Sequence, residues 1–348
     1  MGKYFRNSMK KNIIIGFAAI LMLASCNKDE KILNTLNDYN NSMEEKGYHF
    51  GDKLALPKEV TDNAESISIS FGDKETSSLT VDPKFFTLGD NAVTFNIKTK
   101  GGETLNQDAT INVFAKNPEK NISYEIVSEY PHDPKNFVQG FQIEGNTIYE
   151  SDGQNGASQI LKYTLGTTTP LASTKQAQED FSEGSTIVDD KVYQLTWQSK
   201  KGYVYDKNSL KLLSEFAYPN VLGEGWGLTY DGKNLIASDG SKLLYFLDPK
   251  NPSKLVKYIA VAGSKQAYDQ LNELEFHNGF IYANVWQKPT ILKIDPATGE
   301  VVGTFDFTEL TKKNTKGSDD VLNGITFKGD NMLVTGKNWS KIYEVAVK

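Results

Sequence analysis

The 348-residue sequence holds a single cysteine, Cys26, and only three histidines, His49, His132 and His277, which lie far apart along the chain. A lone cysteine excludes an intrachain disulfide and any cysteine-based metal site. Histidines without a His-x-x-x-His spacing make a catalytic zinc a poor candidate, and each is read as satisfying turn or loop hydrogen bonds. No segment carries the ligand spacing of a calcium loop. The sequence therefore implies no cofactor and no catalytic metal, and leaves open a structural calcium ion in an interior channel. Positive charge is also scarce: 38 Lys and Arg stand against 44 Asp and Glu, a net charge of −6. Nucleic acid and other polyanions are poor partners for that balance, because phosphate binding needs a clustered basic face. Long apolar runs are missing apart from 13–23, which is shorter than the about 20 residues needed to cross a bilayer.

That apolar run follows Lys3, Arg6, Lys10 and Lys11 and ends at Leu23-Ala24-Ser25-Cys26, which gives residues 1–25 the three parts of a secretory signal peptide. Leu-Ala-Ser-Cys resembles the bacterial lipobox, so Cys26 is the expected lipidation site and the outer membrane the expected anchorage. Asn27-Lys28-Asp29-Glu30 also resembles the Lys-acidic-acidic signal that sends Bacteroidetes lipoproteins to the outer face of that membrane. Residues 26–53 are polar, with Asn34, Asn37, Asn40 and Asn41, and read as a tether. Residues 54–120 change to short alternating runs, the cleanest being Ser66-Ile67-Ser68-Ile69-Ser70-Phe71. This predicts a small β-sandwich of Ig-like type, serving as a spacer.

From about residue 128 to 348 the chain repeats. Gln139-Gly140-Phe141, Glu183-Gly184-Ser185, Gly225-Trp226-Gly227, Asn272-Glu273-Leu274 and Asn323-Gly324-Ile325 open five β-rich segments. Their anchors at 139, 183, 226, 273 and 323 are spaced 44, 43, 47 and 50 residues apart. A period in that range means radial or solenoid repetition. Turn elements such as Glu144-Gly145-Asn146 and His277-Asn278-Gly279 separate the first and second strands of each unit, as hairpins require. The expected fold is all-β, a five-bladed β-propeller closed by the last strand of the chain. A solenoid would need capping units that are not visible.

Innermost strands of a propeller converge on one axis, which would gather Gln139, Glu183, Trp226, Asn272, Glu273 and Asn323 at a single mouth, joined by Trp197, Trp286 and Lys337. Taken singly, a Trp at a strand end is more often core packing than a ligand wall, and Asn or Gly at a repeat start is usually a turn former. A Glu between small residues, such as Glu183 or Glu224, is usually a solvated loop carboxylate. The shared structural phase of all these residues favours a site.

Phe137-Val138-Gln139-Gly140-Phe141, Phe181-Ser182-Glu183-Gly184, Gly225-Trp226-Gly227-Leu228, Leu271-Asn272-Glu273-Leu274-Glu275, Ala283-Asn284-Val285-Trp286, Leu322-Asn323-Gly324-Ile325 and Thr335-Gly336-Lys337 resemble the plant-type glutaminyl cyclase family over about 128–348. The resemblance implies a five-bladed propeller that converts N-terminal Gln to pyroglutamate with loss of ammonia and without catalytic zinc. It implies that Glu183 is the catalytic carboxylate, that Lys337 and Asn272 assist it, and that Phe137, Gln139, Phe181, Trp197, Trp226, Trp286 and Asn323 lie at the substrate site. Two departures from the family pattern bear on specificity: Ser182 replaces a Gly, and Gln154-Asn155-Gly156 replaces a Leu-Tyr-Gly segment.

Such a reaction needs a carboxylate whose pKa lies near working pH, and an aromatic, partly dry mouth supplies that shift. The expected protein is a monomer acting on peptides or proteins that begin with Gln. The alternative is a noncatalytic surface propeller that binds peptides or glycans through the same aromatic mouth. That alternative gives no reason for Glu183, Asn272 and Lys337 to occur together.

Overall fold

A computed structural model describes residues 28–43 and 46–348. The signal-like segment and Cys26 lie outside the described residues. The chain divides into two compact units at Val113 and Phe114.

In the first unit the alternating runs form one antiparallel sheet of order β2-β1-β3-β4, made by β1 (Ala64–Phe71), β2 (Lys74–Thr76), β3 (Gly89–Thr99) and β4 (Thr104–Val113). Along β3 every second residue is buried, including Val93, Phe95 and Ile97, as a half-covered strand requires. Two sheets were expected here. The described residues instead form this single sheet, with isolated bridges Tyr48↔Val113 and Lys53↔Thr80. The reading of 26–53 as a tether is also corrected, because residues 28–43 form a helix, α1. Ile32, Leu36, Asn40 and Met43 of α1 are buried at helical spacing, and the Asn40 amide donates to the Asp108 carbonyl of β4. A short helix, α2 (Lys58–Asn63), precedes β1.

The second unit holds five sheets, each with four antiparallel strands. The first is β7 (Val138–Glu144), β8 (Thr147–Asp152), β9 (Gln159–Thr164) and β10 (Ala172–Lys175). The second is β11 (Ser182–Val188), β12 (Lys191–Thr196), β13 (Lys201–Asp206) and β14 (Leu212–Ala217). The third is β15 (Leu228–Tyr230), β16 (Leu235–Ser238), β17 (Leu243–Asp248) and β18 (Asn251–Ala260). The fourth is β19 (Leu271–His277), β20 (Phe280–Val285), β21 (Thr290–Ile294) and β22 (Val301–Asp306), with β5 (Lys120–Asn121) added in parallel at its edge. A helix, α3 (Thr308–Asn314), leads to the fifth, made by β23 (Leu322–Lys328), β24 (Asn331–Gly336) and β25 (Lys341–Val347). Its outer strand is β6 (Tyr124–Pro131), which pairs with β25 from Lys341↔Pro131 to Val347↔Tyr124. The last strand of the chain is thus the third of its sheet, and a strand from ahead of the first sheet completes it.

The first strands adjoin in a closed circuit: β7 meets β11, β11 meets β15, β15 meets β19, β19 meets β23, and β23 meets β7. Five apolar clusters fill the seams between successive sheets. Val138, Phe141 and Leu161 pack with Leu333 and Ile342 where the fifth sheet meets the first. Tyr149 and Ile160 pack with Val192 and Tyr205 at the next seam. Each large side chain buried in this way contributes about 1.5–3 kcal/mol. The second strands are buried nearly end to end, since both faces of an inner sheet are covered, and they read as the apolar runs of each repeat.

A buried ionic cluster also ties the first seam. The His132 ring reaches the Trp339 carbonyl through Nδ1 at 2.6 Å and both Glu150 oxygens through Nε2 at 3.1 Å, and Tyr163 donates to the same carboxylate. Burial is the largest single influence and works against the charged ring, but the Glu150 carboxylate, the Trp339 carbonyl and Asp133 together hold His132 above its ordinary range.

Candidate active site

Four of the five anchors sit in β-bulges. In β7, Val138 pairs with Asp152 and Gly140 with Ser151, which leaves Gln139 as the extra residue. In β11, Ser182 pairs with Thr196 and Ser185 with Gln194, so Glu183 and Gly184 oppose a single residue. The same shift places Asn272 and Glu273 in β19, and Asn323 and Gly324 in β23. A bulge re-aims one side chain without ending the strand, and here it frees these side chains from the sheet faces.

The glycines beside them are required for approach rather than as turn formers. A Cβ on Gly227 would lie 2.0 Å from the Asn272 carbonyl oxygen, and one on Gly184 would lie 2.4 Å from the Leu228 nitrogen. Gly184 N–H donates to the Trp226 carbonyl at 2.6 Å, so adjacent first strands touch backbone to backbone.

The bulges open on a cavity of about 320 Å³ lined by Phe137, Gln139, Phe181, Glu183, Trp197, Trp226, Asn272, Trp286, Gln287, Ser318, Asp319 and Lys337. Its aromatic wall is built of edge-to-face contacts. Phe137 meets Phe181 at 6.1 Å between ring centroids, Phe181 meets Trp197 at 5.7 Å, and Trp226 meets Trp286 at 5.8 Å. Trp197 and Trp286 remain more than one-third exposed and form the outer rim.

The three anchor carboxylates have three different surroundings. Glu273 is buried and accepts the backbone N–H of Ile325 at 2.9 Å and of Phe141 at 3.3 Å, which makes it a strut between three first strands. Glu224 accepts the indole N–H groups of Trp197 and Trp226 and the Gln198 amide. Glu183 faces the cavity at 5% exposure, and among the described residues its carboxylate accepts no hydrogen bond. Burial holds the Glu183 carboxyl well above the usual carboxylate range; Lys337 pulls it down and Glu224 pushes it up.

Lys337 follows β24 and is also 5% exposed, with Nζ 4.7 Å from the Phe137 ring centroid. Burial lowers its pKa, against the opposing charges of Glu183 and Asp319. Asn272 lines the cavity and is buried, with its Oδ1 unpartnered among the described residues and shut off from solvent. Asn323 does not line the cavity. Its amide donates to the Val138 carbonyl at 2.8 Å and to Gln139 Oε1 at 3.1 Å, so it fixes the acceptor end of Gln139 and leaves that residue's N–H donors for the cavity.

Gln287, Ser318 and Asp319 are the lining residues that sequence reasoning missed. They sit in connections outside the repeat phase, where no period marks them. The two departures from the family pattern also take physical form. Ser182 lies in extended β11 and is not in the left-handed region, so a side chain there adds no backbone strain. Gln154 does adopt a left-handed φ of 87°, and the Asn155 amide ties its loop to the Glu179 carbonyl at 2.8 Å. Among the described residues no group of three or more His, Cys, Asp or Glu could hold a metal ion.

Comparison with known proteins gives concordant results. A family model described as glutamine cyclotransferase matches residues 99–347. A glutaminyl-peptide cyclotransferase of Arabidopsis thaliana is 36% identical over 230 residues, covering 64% of this chain and 71% of that protein. The crystal structure of a Myxococcus xanthus glutaminyl cyclase superposes with a TM-score of 0.61 at 31% identity, covering 66% of this chain and 98% of that one.

Proposed function

The chain belongs to the glutamine cyclotransferase family, and from that premise we propose that Glu183 is the proton shuttle of a glutaminyl-peptide cyclotransferase. The enzyme converts the N-terminal Gln of a peptide to pyroglutamate and releases ammonia. The observation that carries the role of Glu183 is its position: a buried carboxyl with raised pKa and, among the described residues, no hydrogen-bond donor to its carboxylate, facing an aromatic cavity that also holds Lys337. The α-amino nitrogen of the substrate attacks its own side-chain amide carbon, forming the ring C–N bond. Glu183 takes the proton released from that nitrogen and passes it to the amide nitrogen, which leaves as ammonia when the tetrahedral centre collapses. A single carboxyl acts as base and then as acid, and is returned unchanged. Lys337 and the Gln139 amide supply N–H donors for the developing oxyanion, and Asn272 lines the same cavity beside them. The aromatic walls hold the ring-closing conformer, so positioning provides much of the rate.

The five sheets are read as the blades of one closed five-bladed propeller, a reading supported by the circuit of first strands and by β6 entering the fifth sheet. A lipid anchor at Cys26 on the outer membrane and a monomeric state complete the proposal, supported by the sequence alone. Changing Cys26 to Ala should release the processed chain from membranes. A processed variant that stays membrane-bound would reject the anchor.

Incubating the purified protein with a Gln-initiated dipeptide tests the activity, by ammonia release and loss of the free amine. Binding of the dipeptide without ammonia release would replace this reading with that of a peptide-binding propeller.

A further inference from the structure

The aromatic wall of the cavity is continuous except at one place. From Lys337 over Phe137, through Phe181 to Trp197, and again from Trp226 to Trp286, each group touches the next. Among the described residues no ring contact joins Trp197 to Trp226. Trp197 follows β12 of the second sheet and Trp226 precedes β15 of the third, so this gap is also the seam between two sheets. Glu224 fills it. One oxygen, Oε2, accepts the Trp197 indole N–H at 2.5 Å and the Trp226 indole N–H at 3.0 Å, while Oε1 accepts the Gln198 amide at 3.0 Å.

The segment that carries Glu224 is itself fastened on several sides. Gly225 N–H donates to the Trp197 carbonyl at 3.0 Å, and Lys200 Nζ donates to the Leu222 and Gly223 carbonyls. A Cβ on Gly225 would lie 2.6 Å from the Thr196 carbonyl oxygen, so the backbone has no room to shift toward β12. A partly exposed carboxylate with three charge-assisted donors on a fixed backbone is a rigid joint.

We propose that Glu224 is the positioning residue of this site, clamping Trp197 and Trp226 into one substrate wall across the seam between the second and third sheets. The proposal rests on the cyclotransferase reading for its kinetic consequences, but the clamp exists without substrate. Its charge also reaches the shuttle. Glu183 is faced by Lys337, which lowers its pKa, and by Glu224, which raises it; Lys337 is in turn faced by Asp319.

Two substitutions separate the clamp from the charge. Glu224→Ala removes all three acceptor contacts. Glu224→Gln keeps one carbonyl oxygen, which can accept both indoles at the Oε2 position, and its new NH2 can face Gln198 once that amide turns its oxygen inward. In the substrate-free protein, indole N–H NMR signals of Trp197 and Trp226 should move strongly in Glu224→Ala and much less in Glu224→Gln. With a Gln-initiated dipeptide, Glu224→Ala should raise KM by roughly tenfold or more with a smaller change in kcat, since the wall serves ground and transition states alike. Glu224→Gln should keep KM near wild type and shift the acid limb of kcat/KM to lower pH. The clamp is overturned if both indole signals stay in place in Glu224→Ala, or if its KM is unchanged in an active enzyme. A wild-type protein without cyclase activity would reject the functional reading, and the indole signals would still decide the clamp.

Discussion

Lys337 and Phe137 meet where the last sheet joins the first, with the ammonium 4.7 Å from the ring centroid. A buried cation normally loses stability through desolvation, and an aromatic face offsets part of that cost. The contact lies where the circuit of sheets closes, beside the Asn338 N–H that donates to the Asn136 carbonyl at 2.9 Å and next to the β25–β6 pairing. Closure of the circuit thus adds Lys337 to a site whose other walls lie at other seams.

Glu183→Gln keeps the volume of the side chain but cannot take up a proton. Turnover should fall by roughly 10² to 10⁴, with KM changed far less. In the wild type the acid limb of kcat/KM should lie above the ordinary glutamate range, because burial raises this carboxyl. Steady-state rates on a Gln-initiated dipeptide between about pH 5 and 9 check both points, and near wild-type turnover in Glu183→Gln would remove this residue from the mechanism.

The same substitution should stabilise the fold. A carboxyl whose folded pKa is raised contributes stability that is present below its unfolded value of about 4.3 and is lost as pH rises through the folded value. Glu183 is of this kind. Glu183→Gln should therefore melt higher than wild type at pH 7 to 8, with the gap closing as pH falls toward 4. A gap that widened on acidification would contradict the burial of this group as a strained, raised carboxyl.

Glu273, the second bulged residue of β19, is also held above the usual carboxylate range by burial, but unlike Glu183 it should lose stability when truncated, because it has hydrogen-bond partners. Its oxygens accept the Ile325 and Phe141 backbone N–H groups inside the ring. Glu273→Ala leaves both donors buried and unpaired, at a cost of about 2–5 kcal/mol. Urea unfolding should show a lower midpoint, while KM of the folded enzyme stays close to wild type. Unchanged stability with lost turnover would transfer the catalytic role to Glu273.

Gly227→Ala tests the close packing of first strands. The added carbon would meet the Asn272 carbonyl at 2.0 Å, against backbone that cannot rotate away. Destabilisation of roughly 3 kcal/mol or more is expected, together with displacement of Asn272 and weakened substrate binding. A variant as stable as wild type would show that β15 and β19 can part, contrary to the tight ring described above.

The sequence by itself determined what depends on neighbours a few residues away. Period-two alternation gave the strands, Gly and Asn gave the hairpins, and a repeat of 43 to 50 residues put Gln139, Glu183, Trp226, Asn272 and Asn323 in one phase. Helix α1 was not read from the sequence: residues 32, 36, 40 and 43 fall on one helical face, but one of the four is Asn40 and further asparagines lie between them. What only the tertiary structure decided depends on partners far away in the chain. Glu183, Glu224 and Glu273 all lie at or beside repeat anchors. They diverge because one meets an open cavity, one meets two indoles from different sheets, and one meets backbone N–H groups of residues 141 and 325. Ser318, Asp319 and Gln287 reach the site from connections that carry no period, and β6 closes the fifth sheet from some 200 residues upstream. Local pattern sets the strands through steric and solvation preferences of adjacent residues, whereas the surroundings of a carboxylate are set by how the ring closes, and those surroundings fix its pKa and its role.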